Sequence, residues 1–122
     1  MRILIVDDSS TMRKIVLRSI RKSGVKVTEI LEAQNGKEAL DIICSSQVDL
    51  IFTDINMPEM NGLELIKELK SSPNTSSIPI IIISTEGTDD VISEAKQLGV
   101  DSFIRKPFTP ETVKAEVEKI TN

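Results

Sequence analysis

The sequence predicts an α/β fold: five parallel strands in the order 2-1-3-4-5, doubly wound with five helices. Three observations carry that expectation. Apolar runs suited to strands alternate along the chain with segments whose apolar residues recur at helical spacing. Such alternation gives a parallel sheet with helices on both faces. The runs Ile3–Val6, Leu50–Phe52 and Ile80–Ile83 are continuously apolar, as strands buried on both faces are. The second and fifth strands are shorter or more polar, which sends them to the edges. With right-handed crossovers, the order 2-1-3-4-5 satisfies these placements.

The first strand runs from Arg2 to Val6, and Asp7 to Ser10 form a loop. Ser9 or Ser10 can cap the next helix by accepting from its free N–H groups. That helix covers Thr11 to Ser23, with Met12, Ile15, Val16 and Ile20 at helical spacing, and Gly24 stops it. Its remaining positions include Arg13, Lys14, Arg18, Arg21 and Lys22. The second strand, Lys26 to Ala33, alternates more and contains Glu29 and Glu32. Asn35-Gly36 turns the chain into a second helix that runs to Ser46. The third strand is Asp49 to Thr53. The third helix starts at Gly62 and ends before Pro73, with Leu63, Leu65, Ile66 and Leu69 as its apolar set. A polar and mobile loop is expected from Ser71 to Pro79. The fourth strand is Ile80 to Ser84, and Gly87, Thr88 and Asp89 lead into a fourth helix that Gly99 ends. The fifth strand is Asp101 to Ile104. Lys106-Pro107 then turns into a fifth helix, Thr109 to Thr121.

At 122 residues the chain fits one domain spanning 1–122, with no output domain after the fifth helix. The formal net charge of −4 gives no reason to expect nucleic acid as a partner. No signal peptide is expected, because the first residues go straight into a strand, and no apolar run approaches membrane length. Cys44 is the single cysteine. It cannot form an internal disulfide and fits a reducing, cytoplasmic compartment. Its place in a helical pattern suggests core packing. Tryptophan and tyrosine are absent, which argues against a stacked-base or aromatic ligand platform.

The predicted topology reverses direction between the first and third strands. Ligands of such sheets bind at that switch point, outside the carboxyl ends of the strands. Asp7, Asp8 and Asp54 all fall there, with Ser84 ending the fourth strand and Lys106 following the fifth. Each has a bland alternative: a solvated turn for Asp7-Asp8, a loop acid capping the third helix for Asp54, a backbone-bonded hydroxyl for Ser84, a surface cation for Lys106. Their shared edge is what favours a site. Clustered carboxylates repel unless a cation joins them, and magnesium commonly takes one or two carboxylates plus a phosphate. A carboxylate nucleophile, a metal, a lysine and a hydroxyl suit phosphoryl transfer to Asp54 through an aspartyl-phosphate. Histidine is absent. No general base is needed, because an ionised carboxylate is already nucleophilic.

Asp7-Asp8, Asp54, the loop Asn56-Met57-Pro58-Glu59-Met60-Asn61-Gly62, Ser84-Thr85 and Lys106-Pro107 together resemble the receiver domain of bacterial response regulators. A chain of this extent is similar to the stand-alone chemotaxis regulators, with their flavodoxin-like fold. The resemblance implies that Asp54 accepts a phosphoryl group from a sensor histidine kinase, a phosphotransfer protein or a small acyl phosphate. It implies that Asp8, Asp54 and the backbone carbonyl of Asn56 hold Mg2+ (Mn2+ as a substitute), with Asp7 acting through a water. Ser84 and Lys106 would hold phosphoryl oxygens, and the Lys106-Pro107 bond would be cis. Phe103 falls on the family's aromatic switch position, where many members have tyrosine. Ser84 stands where many have threonine, and Thr85 where a smaller residue is usual. Thr85 could therefore gate phosphodonors, while Asn56 and Glu86 occupy positions that influence the lifetime of the phosphoryl group.

The implied output is a change in the surface of the fourth helix, fifth strand and fifth helix. A motor switch or another effector would read it, and the unphosphorylated protein would be monomeric. The basic residues of the first helix are either a solvated face or a docking surface for the phosphodonor. Three rivals remain. A haloacid-dehalogenase-type phosphohydrolase would need an Asp-x-Asp pattern, which Asp7-Asp8-Ser9 lacks. A flavin-binding module would need aromatics. A pseudo-receiver would signal by binding alone.

Overall fold

The computed structural model describes residues 1–85 and 87–121. Its elements, in chain order, are β1 (Arg2–Val6), α1 (Ser10–Ser23), β2 (Glu29–Ala33), α2 (Gly36–Ser45), β3 (Leu50–Thr53), α3 (Gly62–Lys70), β4 (Ile80–Ser84), α4 (Asp89–Gln97), β5 (Ser102–Arg105) and α5 (Pro110–Thr121). The sheet is wholly parallel, in the order β2-β1-β3-β4-β5. Val6 lies beside Ala33 on one side and Thr53 on the other, and Ser84 lies beside Arg105. The last residues of all five strands therefore line one edge.

Successive strand residues point to opposite faces, so the chain has two apolar layers. Leu4, Val6, Ile51, Ile80 and Ile82 face α2, α3 and α4, meeting Ala39, Leu65, Ile66, Leu69 and Ala95. Ile3, Ile5, Leu50, Phe52, Ile81, Ile83 and Ile104 face α1 and α5, meeting Val16, Ile20, Val113 and Val117. Helix boundaries follow local chemistry. Ser9 Oγ accepts from the Met12 N–H at 3.2 Å, and Gly24 ends α1 at φ 83°. Asn35 Oδ1 accepts from the Glu38 N–H at 2.9 Å and starts α2.

Four local expectations change. β2 begins at Glu29, where β1 offers Arg2 opposite it; upstream, Thr28 reaches the Met1 carbonyl through its N–H and its hydroxyl without extending the ladder. The segment after α3 is folded into turns: Thr75 Oγ1 donates to the Leu69 carbonyl at 2.6 Å and the Ser76 N–H to the Ser72 carbonyl at 2.9 Å. The Ser71 and Thr75 hydroxyls and the amides of Ser72, Thr75, Ser76 and Ile78 are used within the segment and the end of α3. Cys44 is exposed rather than packed, because Gly36, Ala39, Leu40 and Ile43 already form the inward stripe of α2. Ile15, one of the helically spaced apolar residues of the first helix, is not turned inward with Val16 and Ile20 but is 42 % exposed. No helix among the described residues is long and apolar enough to cross a membrane.

Candidate functional site

The site is built first from backbone. Beyond the strand ends the parallel ladder continues by one residue. The Asp7 N–H donates to the Ala33 carbonyl at 3.1 Å, the Asp54 N–H to Val6 at 2.9 Å, and the Lys106 N–H to Ser84 at 3.1 Å. Each functional side chain thus leaves a backbone that a neighbouring strand holds. Behind Asp54 the chain folds back, and the Gly62 N–H donates to the Ile55 carbonyl at 2.8 Å. A Cβ at Gly62 would run into the Asp54 carbonyl, so only glycine lets α3 start this close.

The side chains converge. Asp7 is buried at 4 % exposure. Its Oδ1 accepts from the Ser9 N–H at 2.9 Å, and its Oδ2 lies 3.4 Å from Lys106 Nζ. Asp54 Oδ1 accepts from the Ile55 N–H at 2.7 Å, and its Oδ2 lies 3.6 Å from the same ammonium. Lys106 is itself mostly buried, its side chain 12 % exposed. Asp8 is exposed. One carboxylate oxygen from each of Asp7, Asp8 and Asp54 lies within 4.8 Å of the others. Three carboxylates face one lysine, so the cluster carries excess negative charge. Hard oxygen donors at this spacing fit a divalent cation such as magnesium, with room left for waters or a phosphate.

Ser84 is fully buried at the end of β4, and Thr85 beyond it is exposed. Asn56 is exposed in the loop after β3. Phe103 is half-buried in β5 and packs on the α4 side of the sheet. The Lys106-Pro107 peptide is cis. Glu86 lies outside the described residues.

Three features were not singled out from sequence. Thr53 is buried and its hydroxyl donates to the Asp54 carbonyl at 2.9 Å. An apolar groove of about 370 Å³ beside the acids is lined by Met12, Ile15, Thr85, Lys106, Pro107 and Phe108. Arg13 donates to the Asp7 carbonyl. Its spacing from Asp7 carried no signal, because the acceptor is main chain.

Residues 3–118 match the family model described as the response regulator receiver domain. The chain belongs to that family. As a receiver it is 41% identical over 121 residues to a chemotaxis protein CheY homolog of Campylobacter jejuni, covering 98% of this chain and 92% of that protein. It is 39% identical over 120 residues to chemotaxis protein CheY of Pseudomonas aeruginosa, covering 98% and 95%. Among solved structures, CheY4 of Vibrio cholerae superposes with a TM-score of 0.86 at 31% identity, covering 98% of this receiver and 97% of that chain. A receiver of the kind found in CheY-like chemotaxis regulators, consistent with phosphorelay signalling, is therefore the coarse identity of the protein.

Proposed function

We propose that the chain acts as one receiver unit that takes a phosphoryl group on Asp54 from a phosphohistidine of a sensor kinase or phosphotransfer protein, in a magnesium-dependent reaction. The convergence of the Asp7, Asp8 and Asp54 carboxylates, with Lys106 beside Asp7 and Asp54, carries this reading. An Asp54 carboxylate oxygen forms the new bond to phosphorus as the bond to the donor nitrogen breaks, and the freed imidazole retains that electron pair. Asp8, Asp54 and the Asn56 carbonyl would hold Mg2+ (or Mn2+), Asp7 through a water. The bound ion supplies charge neutralisation at the phosphoryl oxygens. Lys106 would support the same oxygens, and such preorganised charge is the main catalytic need of phosphoryl transfer. The protein turns over no other substrate.

The phosphoryl group adds about −1.5 to −2 charge and three acceptor oxygens. Ser84, one residue before the exposed Thr85, moves toward them, and Phe103 rotates inward behind it. The surface of α4, β5 and α5 changes, and a downstream protein reads it. The names of the relatives favour chemotaxis; the target would be a motor switch or another effector, and the protein would be a cytoplasmic monomer before phosphorylation. The phosphodonor docks on α1, where exposed Ile15 and the groove with Met12, Pro107 and Phe108 adjoin the acids. Exposed Lys14 and Arg18 flank them. Thr85 lines the same groove and gates access; Asn56 and Glu86 tune how long the phosphoryl group persists.

The test is intact-mass analysis after incubation with acetyl phosphate and magnesium, beside Asp54→Asn. One added phosphoryl group that requires magnesium, is lost with hydroxylamine and is absent from Asp54→Asn is the expected result. Absence of label from acetyl phosphate and from every histidine kinase tried would replace this reading by a module that signals through binding alone.

A further inference from the structure

The basic residues of α1 are not equivalent. Lys14, Arg18, Arg21 and Lys22 are exposed. Arg13 instead turns toward the sheet, with its side chain 14 % exposed. The guanidinium Nη1 donates to the Asp7 carbonyl at 2.6 Å, and Nε lies 2.9 Å from Glu32 Oε1 on β2. A planar guanidinium can make both contacts at once because its donors sit in a fixed fork. The carbonyl it holds belongs to the peptide that joins Asp7 to Asp8.

The two acids are supported differently. The Asp7 carboxylate has the Ser9 N–H and Lys106 as partners. Asp8 is exposed, and among the described residues no hydrogen bond or ion pair holds its carboxylate. Its direction is set by the backbone from which it leaves. That backbone is restrained by a charge-assisted hydrogen bond, among the stronger kinds.

We propose that Arg13, braced by Glu32, is a positioning residue: it fixes the Asp7–Asp8 peptide and so aims Asp8 at the cation position shared with Asp54. The inference rests on the magnesium reading given above. Two effects of Arg13 oppose each other. As a positive charge it repels an incoming cation; as a brace it orders a ligand. Loss of a residue that orients a metal ligand typically weakens metal binding by about 10- to 100-fold, while the charge of Arg13 is already paired with Glu32 at 2.9 Å, which leaves the brace as the larger effect.

The experiment is a magnesium titration of the full chain followed by amide NMR, with Arg13→Ala, Arg13→Lys, Glu32→Gln and, as a control on the same helix, Arg18→Ala. Arg13→Ala and Arg13→Lys should each bind magnesium about 10-fold more weakly or worse. Glu32→Gln should show a smaller loss in the same direction, and Arg18→Ala none. Without metal, the amide nitrogen of Asp8 should shift in both Arg13 variants, since it shares a peptide with the released carbonyl. A charge acting through space would instead leave Arg13→Lys unchanged and tighten binding in Arg13→Ala, and either result overturns the proposal. If Arg13→Ala does not fold, Arg13→Lys and Glu32→Gln carry the test. A wild type that takes up no magnesium sinks the magnesium reading and this inference with it. Wild-type binding that Arg13→Ala fails to weaken sinks the inference alone.

Discussion

α3 and α4 are each nine residues long and pack on the same side of the sheet, yet they are held very differently. α3 buries Leu65, Ile66 and Leu69 completely, together with Gly62. Burying each such side chain contributes roughly 1.5–3 kcal/mol. α4 buries only Ala95, with Val91 and Leu98 partly covered. The caps differ too. α3 has a reciprocal box, with Asn61 Oδ1 accepting from the Glu64 N–H at 2.9 Å and Glu64 Oε1 from the Asn61 N–H at 3.1 Å. α4 has a single contact, from the Val91 N–H to Thr88 Oγ1 at 3.4 Å. The helix that touches the backbone of Asp54 is anchored. The helix on the proposed output surface has one fully buried side chain, Ala95, and two partly covered ones, Val91 and Leu98. A segment that must shift is drawn from the least stable parts of a fold, and α4 has that character.

Large-to-small substitution gives the sharpest contrast. Leu65→Ala should cost about 2–5 kcal/mol, as full-burial leucines do, whereas Ile92→Ala on the half-exposed face of α4 should cost under about 1 kcal/mol. Urea denaturation of both variants reads this directly, and comparable losses would remove the contrast. The caps predict a smaller difference: Asn61→Ala should destabilise by ~1 kcal/mol and Thr88→Ala by about half of that. Equal shifts in thermal midpoint would mean the Thr88 contact is as strong as the reciprocal box. The least perturbing test changes no residue. Native-state hydrogen exchange should show α4 amides exchanging through local opening while Leu65, Ile66 and Leu69 amides exchange only with global unfolding. Uniform protection of the two helices would contradict the comparison.

Asp7, Asp54, Ser84 and Lys106 were legible in the sequence because parallel topology turns a one-dimensional sign, a polar residue at the end of an apolar run, into a shared location. Arg13 was not. Its partners are a main-chain carbonyl and a glutamate on another strand, so in the sequence it looks like any of the basic residues of α1. The start of β2 was misplaced for a related reason: Lys26 to Thr28 have strand composition, but pairing depends on where β1 begins. Thr75 and its neighbours read as a mobile loop because polarity alone does not tell internal hydrogen bonds from solvation. Cys44 shows the limit of periodicity, since its helix already had a complete inward stripe.

The exposed thiol of Cys44 lies in the last turn of α2, a helix whose first turn touches the loop after Asp54 through the Gly36 N–H and the Met60 carbonyl. Ten residues of helix span about 15 Å, so the sulfur sits toward the opposite pole from the acids. With no second cysteine and no tryptophan or tyrosine in the chain, a dye or a surface linker attached there would be the molecule's sole label. The protein could thus be immobilised or watched optically by one end while the other stays open to its donors.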